Sequence, residues 1–197
     1  SPYEYPNRHW ELDKEGQPTQ HINEYRRGAE FITPIPKPRK QKNAKNGQAT
    51  QTEIVFDEGK GLSTAEQQYD PTGNITQVRK YVDNWRRIKD PNDWKVTPET
   101  ARLLEHWRHY PFASIRPFFC QVEAVETLIW LTEVAPKGGK PEKELLERLE
   151  NASHEANPGL ERIALKMATG AGKTTVMAMI VAWQTINALR YPNSNKF

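Results

Sequence analysis

The fold expected from the sequence is α/β: a helical N-terminal region, followed by the first strand, loop and helix of a lobe built on a parallel sheet that this chain leaves incomplete. Three observations lead there. The run Met167–Thr174 (MATGAGKT) stands between a short apolar stretch and a long apolar helix pattern. Apolar residues recur at helical spacing between Ile75 and Trp107. Apolar character concentrates after Pro111, whereas residues 1–60 are polar, proline-punctuated and poor in aliphatics.

Three segments follow from this distribution: an extended, basic and proline-rich leader (1–50), a small mainly helical unit (51–112), and the opening of the α/β lobe (113–197). With 197 residues, 36% apolar, and a mean hydropathy of −0.85, the core is modest and much of the chain is solvated. A net charge of +3, from 28 cations and 25 acids, does not by itself mark a nucleic-acid binder. The single Cys120 excludes an internal disulfide framework and suits a reducing compartment. No stretch approaches the roughly 18–20 apolar residues that a membrane span needs, so no membrane is expected and a cytoplasmic location is the default. The absence of a starting Met, and the end at Phe197, give both termini the look of cuts in a longer protein.

Within the leader, Thr33–Pro38 (TPIPKP) has polyproline-II spacing, because each proline fixes φ and biases its predecessor away from the α region. Lys37, Arg39, Lys40, Lys42 and Lys45 follow with no acid between Phe31 and Thr52. This run reads either as a solvated linker or as a phosphate-contacting arm. Glu53–Asp57 is a candidate short strand. Ile75, Val78, Val82 and Trp85 then define one helix, with Arg79, Lys80, Arg86 and Arg87 on its other face. Thr97 caps a second helix with Pro98 in its first position, and Leu103, Leu104 and Trp107 form its buried stripe. Trp85, Trp94 and Trp107 fall where core anchors belong rather than base-stacking platforms.

A third helix spans 117–134, with Phe118, Val122, Val125 and Ile129 on its apolar face and Glu123, Glu126 and Glu133 off it. Residues 136–159 have the character of an insertion carrying a short charged helix, Glu142–Glu150. Arg162–Met167 reads as a buried strand, and Lys173–Leu189 as a helix apolar on most sides, which other elements must cover.

The chemistry resides in the loop. Converging backbone N–H groups bind phosphate, and Gly170 and Gly172 permit the positive φ values such a nest requires. The following helix adds its free N–H donors and partial positive charge. Thr169, Gly170, Ala171, Gly172, Lys173, Thr174 and Thr175 are therefore the expected ATP-binding residues. Lys173 is the candidate catalytic residue, placed to reach the β- and γ-phosphates, and Thr174 the ligand of a nucleotide-bound Mg²⁺. The general pattern has Gly five positions before Gly172; this chain has Met167.

With that substitution, MATGAGKT resembles motif I of superfamily 2 helicases and translocases, above all the form in ATPase subunits of type I and type III restriction enzymes. Arg116–Leu131 (RPFFCQVEAVETLIWL) resembles the Q-motif helix that precedes motif I in that superfamily. The resemblance implies that Gln121 reads the adenine edge, a task suited to an amide, which offers donor and acceptor side by side. His9–Gly16, Arg26–Lys40 and Val82–Phe112 are similar, more weakly, to the N-terminal region of type III restriction Res subunits. The resemblance implies a DEAD/DEAH-like ATPase with two RecA-like lobes acting on double-stranded DNA, with a downstream endonuclease domain and a DNA-methyltransferase (modification) subunit as a further partner. ATP and Mg²⁺ are the implied cofactors. The acid that orients water and the arginine finger come from later strands and the second lobe in such enzymes. This chain alone is accordingly expected to bind nucleotide weakly and not to hydrolyse it.

Two rivals stand beside this reading: a P-loop phosphotransferase, and a non-catalytic module in which residues 30–110 grip DNA or a partner subunit. Other constellations are thin. His106, His109 and Cys120 lack a fourth ligand at a zinc-site spacing and read as packing. His154-Glu155 reads as a solvated pair.

Overall fold

The structure, a computed structural model, describes residues 1–13, 15–29, 72–113, 115–160 and 162–197. The polyproline-like segment, the basic run and the candidate strand Glu53–Asp57 lie outside the described residues.

The beginning of the leader is a hairpin. His9–Leu12 (β1) and Pro18–Asn23 (β2) pair antiparallel, His9 opposite Asn23 and Trp10 opposite Ile22. Turn chemistry explains it: the Asp13 carboxylate accepts from the N–H groups of Glu15 (3.0 Å) and Gln17 (2.8 Å), and Gly16 takes φ +79°. The hairpin is anchored to the helices by Arg26, whose guanidinium donates twice to Glu123 (2.6 and 2.7 Å). Ahead of it, Tyr3 and Tyr5 pack on Phe118 and Phe119, with ring centroids 5.3 and 5.5 Å apart.

Five α-helices follow among the described residues: α1 (Thr72–Arg86), α2 (Pro98–His109), α3 (Phe119–Ile129), α4 (Lys140–Ala156) and α5 (Lys173–Arg190). Val78, Val82 and Trp85 bury the inner face of α1, while Ile75 stays exposed. A 3-10 turn, Pro91–Trp94, returns the chain to α2. It is closed by two indoles: Trp85 Nε1 donates to the Trp94 carbonyl (2.9 Å) and Trp94 Nε1 to the Ile88 carbonyl (2.8 Å). Both rings are buried with their polar atoms satisfied, as core anchors require. Thr97 caps α2 by accepting from the Thr100 N–H (3.1 Å), and Pro98 occupies the first turn, where no donor is needed.

The third helix leaves α geometry early. A π turn, Trp130–Val134, and a 3-10 turn, Ala135–Lys137, follow α3. Pro136 has no N–H and its ring would clash with the carbonyl four residues back, so an α-helix does not run through it. The α4 helix runs well past the expected Glu142–Glu150, with Leu145 fully buried and Leu146 and Leu149 packed against the core. One cluster of buried residues joins α1, α2, α3, α4 and α5.

Two carboxylates expected off the apolar face of the third helix are interior. Glu126, 0% exposed, accepts from Arg86 Nε (2.7 Å) and Arg108 Nε (2.7 Å). The Arg108 guanidinium lies over Trp94, 4.6 Å from its ring centre. Arg86 Nη2 also lies against Glu126, without the alignment of a hydrogen bond. Cys120, expected to pack, is exposed.

Among the described residues no parallel sheet forms. Among the described residues the one sheet is β1–β2, and 162–168 has no ladder partner. Leu165 and Met167 are half-buried between exposed Ala164, Lys166 and Ala168, which is strand periodicity, yet Ile163 is 58% exposed. A strand exists through its neighbours' N–H and C=O groups, and no described residue pairs with this segment in a ladder. The expected buried strand is thus an unpaired segment, and the α/β character rests on the helices and the hairpin. No helix among the described residues is long and apolar enough to cross a membrane.

Removing one partner of a buried charge set leaves the others uncompensated. Glu126→Ala is expected to destabilise the fold by about 3–5 kcal/mol, read from urea unfolding followed by tryptophan fluorescence. A loss under about 0.5 kcal/mol, the usual surface value, would contradict the account of this cluster.

Candidate nucleotide-binding site

The loop from Ala168 to Gly172 ends on α5, and its backbone is shaped by two glycines. Gly170 takes φ +79° and Gly172 φ +75°, the left-handed region where a Cβ clashes with the following carbonyl. Gly172 is also the N-cap of α5. Its carbonyl accepts from Thr175 N–H (3.0 Å) and Val176 N–H (3.3 Å), which starts the helix. The first N–H groups of α5, on Lys173 and Thr174, have no intrahelical acceptor by geometry and lie at the positive end of the helix dipole. Thr169, Gly170, Lys173, Thr174 and Thr175 are exposed; Ala171 and Gly172 are half-buried.

Lys173 folds back across the loop, its Nζ donating to the Ala168 carbonyl (2.9 Å). An arriving phosphate offers stronger, charged acceptors within the same reach. Thr174, the second residue of α5, is exposed, and its hydroxyl would be the group to hold a nucleotide-bound Mg²⁺.

Gln121 is brought to this loop from fifty positions away. The residue is 5% exposed. Its Oε1 accepts from the Phe118 N–H (2.9 Å), the return contact of a helix N-terminus. Its Nε2 donates to the Ala171 carbonyl (2.9 Å). One amide thus secures the start of α3 and holds the loop 168–172 against it. The contact is tight: a Cβ placed on Gly172 would come within 2.1 Å of Gln121 Nε2.

The far half of α5 is fixed by a buried polar cluster. Glu133, 1% exposed, accepts from the Thr97 N–H (2.7 Å), the Thr100 hydroxyl (2.7 Å) and Trp183 Nε1 (2.8 Å). Asn187 completes it, donating to Thr100 Oγ1 (3.0 Å) and accepting from the Thr97 hydroxyl (2.6 Å). At the end of the helix the Tyr191 hydroxyl donates to Glu99 (2.8 Å), which lowers the Glu99 pKa, aided by a backbone N–H and Arg190. Sequence reasoning missed every member of this cluster as such, since Thr97 signalled only a cap and Glu133 only a polar face.

The remaining candidates are not brought together. His106 packs on Tyr110 and Phe112, with ring centroids at 4.6 and 5.3 Å, and no group of three His, Cys, Asp or Glu side chains fit for a metal occurs among the described residues. His154 and Glu155 are exposed. A hollow of about 530 Å³ beside His154 and Leu160 includes no residue of the phosphate loop.

Set against protein-family models, curated proteins and solved structures, the chain matches none of them.

Gly172→Ala forces a β-carbon into both the strained φ and the Gln121 amide. The variant is expected to lose about 1–2 kcal/mol from the left-handed backbone alone, with further loss as the amide is displaced. Thermal unfolding compared with Gly170→Ala checks it, because a Cβ on Gly170 meets no atom within 4 Å. Equal losses at the two glycines would remove the steric role assigned to Gln121.

Proposed function

We propose that this chain is the ATP-binding portion of a nucleic-acid-dependent ATPase of helicase superfamily 2, similar to the Res subunit of type III restriction enzymes. The observation that carries the reading is the loop itself. MATGAGKT lies with Gly170 and Gly172 at positive φ, directly ahead of an 18-residue helix whose N-terminus is exposed. Lys173 and Thr174 occupy the positions from which phosphate and nucleotide-bound Mg²⁺ are reached in that sequence pattern.

In this reading the backbone N–H groups of 170–174 hold the phosphate oxygens in place. Lys173 exchanges its contact with the Ala168 carbonyl for the β- and γ-phosphates, neutralising charge there. ATP hydrolysis serves movement along, or remodelling of, duplex DNA, with a modification subunit as further partner and an endonuclease domain in the whole protein. Adenine reading by Gln121 belongs to the same proposal. It requires the amide to give up or share its bonds to Phe118 and Ala171, and so couples base recognition to loop position.

Equilibrium titration of the chain with Mg²⁺-ATP is the test. Binding is expected, and Lys173→Ala should weaken it at least about tenfold, equivalent to about 1.4 kcal/mol, with the helical content unchanged. Unaltered affinity in that variant would detach the loop from nucleotide binding.

A further inference from the structure

The basic side chains at the N-terminal end gather in one place. A cleft of about 250 Å³ between the hairpin and α1 is lined by Arg8, His9, Arg26, Arg27 and Arg79. These residues come from three separate stretches, the approach to β1, the exit from β2 and the middle of α1. The carboxylates nearby are already engaged. Glu123 and Asp83 serve Arg26 and Arg86, and Glu126 serves Arg86 and Arg108.

Arg79 differs from Arg26 in this respect. It is half-buried and makes no hydrogen bond or ion pair among the described residues. Burial and the neighbouring charge of Arg26 lower its pKa, with Glu123 and Asp83 acting the other way. A guanidinium held in a recess beside another guanidinium is stabilised by an anion entering between them. Beside the cleft stands an aromatic surface: Tyr25, 61% exposed, packs edge-on against the His9 ring with centroids 5.2 Å apart. Its backbone carbonyl is 2.9 Å from His9 Nδ1, so ring and cleft are held in register.

We infer that this cleft binds a backbone phosphate of single-stranded nucleic acid, with a neighbouring base stacked on Tyr25. Guanidinium groups match phosphate oxygens in pairs, and an exposed ring accepts any base face. A recess of this size admits a phosphodiester and its sugar but leaves the base outside, where Tyr25 lies. The inference does not rest on nucleotide binding at the Lys173 loop, and the two fail separately.

Fluorescence anisotropy of an end-labelled oligothymidylate on the whole chain tests it. Binding should weaken with salt. Arg79→Gln should lower affinity severalfold and reduce the log–log salt slope by about 0.7, the value of one single-strand phosphate contact. Tyr25→Ala should cost about fivefold or more, and Tyr25→Phe should restore binding, because stacking needs the ring and not the hydroxyl. Lys173→Ala should leave all of this unchanged. No binding, or full affinity in both Arg79→Gln and Tyr25→Ala with helical content intact, overturns the inference. So does displacement of the oligonucleotide by millimolar inorganic phosphate with Tyr25→Ala silent, which would mark a site for free oxyanions. Tighter binding to a blunt duplex than to the single strand overturns it as well.

Discussion

The Glu133 carboxylate holds the molecule together at its least replaceable point. It is buried with no cation beside it among the described residues, and is satisfied instead by a backbone N–H and a hydroxyl from the start of α2 and an indole N–H from α5. A buried charge costs several kcal/mol unless its hydrogen bonds are complete, so the cluster is stable only when α2, the π turn after α3 and α5 are all in position. In the expected lobe a parallel sheet would support the helix after the phosphate loop. Here that support comes from Trp183 and Asn187 on one side, with Val176, Met179 and Trp183 packed into the core. The opposite side of α5 stays open: Met177, Val181 and Leu189 are exposed.

The loop inherits its geometry from this arrangement. α5 is fixed in its far half by the Glu133 cluster and at its end by the Glu99–Tyr191 bond. Its beginning is fixed by Gln121, which ties the Ala171 carbonyl to the N-terminus of α3. Between those anchors Gly170 and Gly172 hold positive φ values, the conformation that the proposed phosphate nest would use. Preorganisation of this kind reduces the entropy that binding must overcome.

What was legible in the sequence was local. Helical spacing located α1, α2 and α5, Thr97-Pro98 located a cap, and Gly170 and Gly172 located a positive-φ loop before a helix. These depend on residues within one turn of each other. The hairpin was also legible in principle, since Asp13 with Gly16 is turn chemistry between two short runs, but the surrounding polar composition pointed to an extended leader. Glu126 and Glu133 were unreadable for a different reason. A carboxylate at a polar position of a helix declares itself interior only through partners 18 to 50 positions away, Arg108, Arg86, Thr100 and Trp183 among them. The segment 162–168 failed in the opposite sense. Its alternation is that of a strand, but pairing is a property of neighbours that periodicity does not supply.

Phosphate binding by the Ala168–Thr175 backbone is the property on which the proposed function depends. Backbone amide shifts of the ¹⁵N-labelled chain during titration with Mg²⁺-ATP report this residue by residue. Saturable shifts centred on Gly170, Ala171, Gly172, Lys173 and Thr174, with α4 unmoved, are the predicted result. Shifts confined to the Arg79 cleft, or none at the loop at millimolar nucleotide, would contradict it.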